Sequence, residues 1–266
     1  TLENLYWIYT NTARWSLHYI QTADIDAAGT STWDGNAGWF AIGNSSTRFT
    51  GSYDGQGFKI DFLFINRNTN NNGLFGQLNG ATIKNLGLTN VNITAPSQVG
   101  GLAGQAYGTT LITNCYVTGS VSGYTSDGYT SVGGMVGSLS NSTIRNCYAS
   151  VTVNGRLYVG GLVGYLSNAT LANSYSTGSV TGGAQSIGGL AGYIHLSGKI
   201  DSCYSGANIA GPTYVGGAVG AINGGSAEVY RSYATGNVSS SSSSAGGFFG
   251  YMWNSGDIIS NCYSLG

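Results

Sequence analysis

Residues 159–180 read VGGLVGYLSNATLANSYSTGSV, with apolar side chains in short runs and every-other-residue alternation that Gly, Asn and Ser interrupt. The three-to-four spacing of an amphipathic helix never persists over ten residues here, so the pattern predicts short strands joined by tight turns. The pattern also recurs. VGGLAG at 99–104 is followed by VGGMVG at 132–137, VGGLVG at 159–164, IGGLAG at 187–192, VGGAVG at 215–220 and AGGFFG at 245–250. A second phrase answers each one about a dozen residues later: TNCYVTGSV at 113–121, RNCYASVTV at 145–153, NSYSTGSV at 173–180, DSCYSGANI at 201–209, RSYATGNV at 231–238 and SNCYSLG at 260–266.

The leading glycines of these phrases, Gly100, Gly133, Gly160, Gly188, Gly216 and Gly246, are separated by 33, 27, 28, 28 and 30 residues. A unit of this size cannot bury its own apolar face, so neighbouring units must stack into one core. About 28 residues hold two or three strands of about five residues plus their turns. Equivalent strands of successive units then run parallel and in register, about 4.8 Å apart. The expected fold is therefore all-β: a right-handed parallel β-helix, or β-solenoid, of ~28-residue coils, its hand taken from the crossover preference of parallel strands. A propeller is the alternative, but its blades need about 40 residues or more.

In such a stack each repeated position becomes a column. Val99, Val132, Val159, Ile187 and Val215 before the double glycine form one core column, and Leu102, Met135, Leu162, Leu190, Ala218 and Phe248 after it form another. The double glycine marks a close backbone approach or a φ that other residues avoid. It does not read as a phosphate cradle, because no copy carries a lysine-serine step and a following helix.

The two ends differ. Residues 1–70 read as an N-terminal cap with irregular first coils, and 71–266 as the regular repeats of a single continuous domain. Leu2, Leu5 and Ile8 lie at helical spacing, which predicts a short helix covering the open end of the solenoid. Ile20, Ile25, Phe40 and Ile42 read as strand positions, and 71–93 as a divergent copy of the unit preceded by one or two irregular coils. The run SSSSSS at 239–244 reads as a flexible turn between coils. At Gly266 the chain stops partway through a coil, leaving a sheet edge open to pairing; a start at Thr rather than Met reads as a processed or excised fragment.

Only 7% of the residues are charged, as expected where a charge would repel its own copy in the next coil. Nine Lys and Arg against ten Asp and Glu leave a net charge of -1, which implies neither nucleic acid nor an anionic membrane as partner. No apolar run approaches the ~20 residues of a membrane span, so no membrane insertion is expected. Richness in Ser, Thr, Asn, Gly and Tyr suits a secreted or cell-surface protein.

One column holds Cys115, Cys147, Ser174, Cys203, Ser232 and Cys262. It reads as a structural ladder of small buried residues with free thiols. Cys115 and Cys147 are one coil apart, about 5 Å, and a disulfide between them is the alternative; Cys203 and Cys262 are two coils apart, about 10 Å, and out of range. Beside it runs Tyr116, Tyr148, Tyr175, Tyr204, Tyr233 and Tyr263. Strand parity points these outward if the small residues point in, giving an aromatic stripe that either stabilises the stack or binds sugar rings or protein.

Catalysis needs clustered carboxylates, a metal or a positioned base. Within the repeats Asp127, Asp201, Glu228 and Asp257 are scattered, His18 and His195 lack an evident partner, and the Cys spacing is not that of a metal site. Asp24, Asp26 and Asp54 read as turn residues whose carboxylates bond backbone amides. No catalytic residue, metal or cofactor is expected.

The GGLVG phrase followed by a phrase of the form I-x-N-C-Y-x-T-G-x-V resembles the GLUG repeat of large bacterial surface proteins. Those include filamentous-haemagglutinin-like adhesins and the non-catalytic region of immunoglobulin-A peptidases. The segment with FTGSYDGQGFKI and GLFGQLNGATIKNLGL is similar to the one that precedes such repeats. Ala218, Phe248 and Phe249 depart from the aliphatic pattern, and two units lack the Cys. The resemblance implies an extracellular β-helix without catalytic residues. The expected role is an adhesin or stalk region whose partner is a host or neighbour-cell surface protein or glycan. The alternatives are a self-assembling subunit of an extracellular filament or sheath and, more remotely, a carbohydrate-active β-helix enzyme.

Overall fold

The computed structural model describes residues 1–124, 130–253 and 255–266. A helix, Leu2–Thr10, opens the chain, its N-terminus capped by Thr1, whose hydroxyl accepts from the Asn4 amide at 3.3 Å. Leu5 and Ile8 are buried and join the same core as the repeats, as the helical spacing predicts. Two fully buried tryptophans tie this cap down: the Trp15 indole donates to the Ile8 carbonyl at 2.7 Å, and the Trp39 indole to the Leu74 carbonyl at 3.1 Å.

Every strand pairing in the ladder is parallel, and among the described residues the strands fall into sheets of nine, seven and fourteen. One coil contributes Val163–Ser167, Thr170–Ala172 and Tyr175–Gly188, one strand to each sheet. The seven-stranded sheet begins at Phe75–Asn79, giving seven full coils. The nine-stranded sheet has two earlier rungs, His18–Ile20 and Ser52–Asp54, which are the irregular coils of the N-terminal segment.

The columns align as the repeats predict. Val99, Val132, Val159, Ile187 and Val215 are successive register partners and all fully buried. Leu102, Met135, Leu162, Leu190 and Ala218 are equally buried, and Phe248 is 9% exposed. A further column, Ile83, Ile112, Ile144, Leu171, Ile200 and Val229, fills the wall opposite. Burying each such side chain contributes roughly 1.5–3 kcal/mol, so the core grows by a similar increment with every coil.

The double glycine answers to close approach, with no positive φ at any of its copies. A Cβ on Gly134, Gly161, Gly189 or Gly217 would collide with the carbonyl of the equivalent glycine one coil on. Corners are turned elsewhere, by left-handed residues. Asn114, Asn146, Asn173, Ser202, Arg231 and Asn261 have φ of 54°, 54°, 46°, 55°, 45° and 55°, a region asparagine tolerates better than most side chains.

Two local expectations are corrected. The serine run is a strand, Val238–Gly246, paired in parallel with Asn208–Gly216 across a bulge, because backbone ladder bonds order it whatever its side chains. Phe40 lies outside any strand, its ring stacked 4.9 Å from Tyr9 and capped by the Arg67 guanidinium. Ile20 lies in a strand as expected, 62% exposed in the first rung.

Candidate functional site

The Cys and Ser column occupies one slot immediately after the left-handed corner. Cys115, Cys147, Ser174, Cys203 and Ser232 are buried, and Cys262 in the last rung is half-buried. Each side chain donates to the carbonyl two residues before it: Cys115 to Thr113 at 3.3 Å, Cys147 to Arg145 at 3.1 Å, Ser174 to Ala172 at 2.7 Å and Ser232 to Tyr230 at 2.7 Å. Cys147, Ser174 and Ser232 also accept an amide from the coil before. The Cys115 amide donates to Cys147 Sγ at 3.3 Å, that of Cys147 to Ser174 Oγ at 3.1 Å and that of Cys203 to Ser232 Oγ at 3.1 Å. Sulfur and oxygen alternate freely because the slot asks only for a small group that both donates and accepts. The thiols are unpaired, and burial pushes that of Cys203 up to about 12.

The tyrosines point the other way. Tyr116, Tyr148, Tyr175, Tyr204 and Tyr233 are half-buried and Tyr263 is 52% exposed. Their centroids follow one another at 5.1, 4.9, 4.7, 5.1 and 5.2 Å with interplanar angles of 5–6°. Such offset stacking turns each ring face toward its neighbour. The stripe therefore shows solvent its ring edges and hydroxyls, and does not offer a series of open faces to sugars.

A second aromatic group lies on the seven-stranded sheet, outside the columns expected from the sequence. Tyr165 and Tyr193 are register partners in the slot after the third glycine of the phrase. Tyr193 packs 4.6 Å from Tyr158, and the His195 ring lies 6.0 Å from Tyr165 and 6.2 Å from Tyr193. Its signal is present in GGLVGYL and GGLAGYI, where the same letter follows the same phrase.

Comparison with known proteins agrees with this geometry. Residues 18–119 match the family described as the M26 IgA1-specific metallo-endopeptidase N-terminal region, and residues 128–154 and 155–181 each match the GLUG motif. The chain is a GLUG-repeat β-solenoid. It is 38% identical to halomucin of Haloquadratum walsbyi over 141 residues, which are 50% of this chain and 2% of halomucin. It is 32% identical to an immunoglobulin A1 protease of Streptococcus sanguinis over 113 residues, 42% of this chain and 5% of that protein. The solenoid thus spans a small fraction of the length of either relative. Among solved structures, an IgA1 protease superposes with a TM-score of 0.67 at 21% identity, over 96% of this chain and 20% of that one. A proposed immunoglobulin A1 protease of Bacteroides ovatus gives 0.66 at 20% identity, over 91% and 77%. The shared property at these identities is the fold.

Within the GLUG phrase each letter now has a task. The Ile of I-x-N-C-Y is core, the Asn turns the corner, the Cys or Ser bonds two coils and the Tyr extends the outer stack. Charges are paired across coils. Lys84 reaches Asp54 at 3.1 Å, Lys199 reaches Glu228 at 3.0 Å, and Arg231 bonds Asp201. Burial pushes the Asp54 carboxyl up, but bonds from Asn85 and the Gln56 amide, with the Lys84 ammonium, outweigh it and hold it below the usual range.

The remaining candidates serve the backbone or a near neighbour. Asp24 accepts the Lys59 amide at 2.9 Å, Asp26 that of Ala28 at 2.9 Å and Asp257 that of Ala227 at 2.9 Å. His18 bonds the Ser52 hydroxyl at 2.8 Å, and His195 the Asn223 carbonyl at 2.9 Å. Asp127 lies outside the described residues. Among the described residues no three His, Cys, Asp or Glu side chains converge as metal ligands.

Proposed function

We propose that this GLUG solenoid is a non-catalytic extracellular rod, the stalk or adhesive region of a cell-surface protein. The observation that carries the proposal is its outer surface. A tyrosine stack follows six successive coils, flanked by register columns such as Thr118, Ser150 and Thr177, and by paired rather than convergent charges. Such a surface suits display and contact; among the described residues the acidic side chains bond backbone amides or single cations rather than one another. The kinship with halomucin and with the N-terminal region of immunoglobulin A1 proteases supports an extracellular setting. Its partner on this reading is a protein or glycan of a host or neighbouring cell.

Negative-stain electron microscopy of the purified chain across a dilution series tests the reading. Separate short rods at every concentration are expected. Long filaments of constant width that survive dilution would overturn it in favour of a self-assembling filament or sheath subunit.

A further inference from the structure

Where the tyrosine column of the fourteen-stranded sheet is continuous, that of the seven-stranded sheet is interrupted. Its register runs Gln77, Gln105, Ser138, Tyr165, Tyr193, Ala221, Tyr251. Tyr165 thus has an aromatic neighbour on one side, Tyr193 at 5.8 Å and 16°, and a serine on the other. Beside that step opens a cleft of about 410 Å³, in the range of small-molecule pockets, lined by Tyr165, Tyr193, Tyr158, His195, Ser138 and Gln98. Thr130 and Ser131 complete its rim.

The supporting groups are fixed. The Tyr158 ring packs 5.8 Å from that of Tyr165 and 4.6 Å from that of Tyr193. A carbonyl only accepts, so His195 donates through Nδ1 to Asn223, which leaves Nε2 for a ligand. A platform held this way loses little freedom on binding.

The lining also selects chemistry. Among the described residues it contains no Asp, Glu, Lys or Arg, so a charged ligand would be desolvated without a counter-charge from them. A purely apolar ligand would bury the Ser138 hydroxyl and the Gln98 amide unbonded, while Thr130 is already bonded to the Leu157 backbone. A pyranose ring meets both conditions, with an apolar C–H face for the tyrosine and hydroxyls around its edge for the polar rim. We propose that this cleft binds a neutral saccharide, with the Tyr165 ring as its platform and Ser138, Gln98 and His195 as its hydrogen-bonding partners. The inference goes beyond the rod reading, which imaging tests separately.

The test is ligand-observed NMR and calorimetry of the whole chain with lactose, cellobiose, maltotriose and chitobiose, and with glucuronic acid as the charged control. At least one neutral sugar should bind with a Kd of about 0.1–1 mM, and glucuronic acid should not. Tyr165→Ala should weaken binding at least about tenfold, the loss expected when an aromatic platform is removed. Ser138→Tyr is the decisive variant. Register places the new ring against Tyr165, so it should abolish binding while leaving the circular dichroism and melting temperature of a folded solenoid. Absence of binding by every neutral sugar to the folded wild type, or unchanged binding by Ser138→Tyr, would overturn the proposal without touching the rod reading.

Discussion

The amide of Cys147 donates to the hydroxyl of Ser174, 3.1 Å away in the next coil, and that hydroxyl in turn donates to the Ala172 carbonyl at 2.7 Å. One buried oxygen thus closes the gap that the left-handed Asn146 and Asn173 leave in the ladder. Ser174→Ala strands the Cys147 amide and should destabilise the fold by about 1–3 kcal/mol, the cost of an unmet buried donor. Ser174→Cys restores a donor and acceptor of the kind used at Cys147, and should fall within about 1 kcal/mol of wild type. Urea unfolding of the two variants decides it; equal losses would mean the slot is chosen for size alone.

Glycine has unequal importance along the repeat. A Cβ at Gly161 would meet the Gly189 carbonyl and the Ser176 side chain, and neither the backbone nor the buried serine can retreat. Gly161→Ala should cost about 3 kcal/mol, at the upper end of overpacking. At Gly183 the nearest atom, the Gly155 carbonyl, is 3.7 Å away. Gly183→Ala should leave stability unchanged or raise it by up to about 1 kcal/mol through the unfolded chain. Comparable melting temperatures for the two would contradict the close-approach account.

The solenoid is legible in the sequence because its core columns are written as repeats: Val99, Val132 and Val159 each precede the same double glycine, so their place in the phrase already aligns them. The serine strand at 239–244 is not, since ladder bonds from Asn208–Gly216 impose order that side-chain composition does not encode. The double function of the Cys and Ser slot is hidden for a related reason. It depends on an amide one coil away, which sequence spacing cannot orient. Tyr165 and Tyr193 escape notice because their slot is not aromatic throughout: Gln77, Gln105, Ser138 and Ala221 fill it in other coils, and the ring returns only at Tyr251.

Two members of the tyrosine stack, Tyr148 and Tyr204, should resist ionisation. Burial raises the Tyr148 phenol above its ordinary value, and the neighbouring Tyr175 and Tyr116 add to it; burial, then Tyr175 and Tyr233, do the same for Tyr204. A folded pKa above the unfolded one means the neutral form is favoured by folding. That contribution is complete below the unfolded value, about 10, and is lost as pH rises through the raised folded values. Phenolate absorbance should therefore lag behind that of free tyrosine in the native protein and catch up in one step on alkaline unfolding. A titration superimposable on free tyrosine would show that the stack does not persist in solution.

Thiol chemistry distinguishes the ladder from a staple. Cys115, Cys147 and Cys203 are each 1% exposed, whereas Cys262 is half-buried in the last rung. Burial holds the Cys115 thiol well above its ordinary value, with Cys147 adding to the effect, and pushes that of Cys203 up to about 12. Thiolate is the reactive form, so raising the pH from about 7 to about 9, across the ordinary thiol value, should barely speed the native labelling of either. By the same sign, the stability tied to these two thiols is intact below the ordinary thiol pKa and is lost as pH climbs through the raised values. Native protein should expose one fast-reacting thiol, Cys262, and the denatured, unreduced protein all four. Cys262→Ser should remove the fast phase alone. Two thiols after denaturation without reductant would instead mean that Cys115 and Cys147, adjacent in the column and within bridging range, are oxidised to each other, and that the amide of Cys115 has exchanged its sulfur acceptor for a covalent clamp between coils.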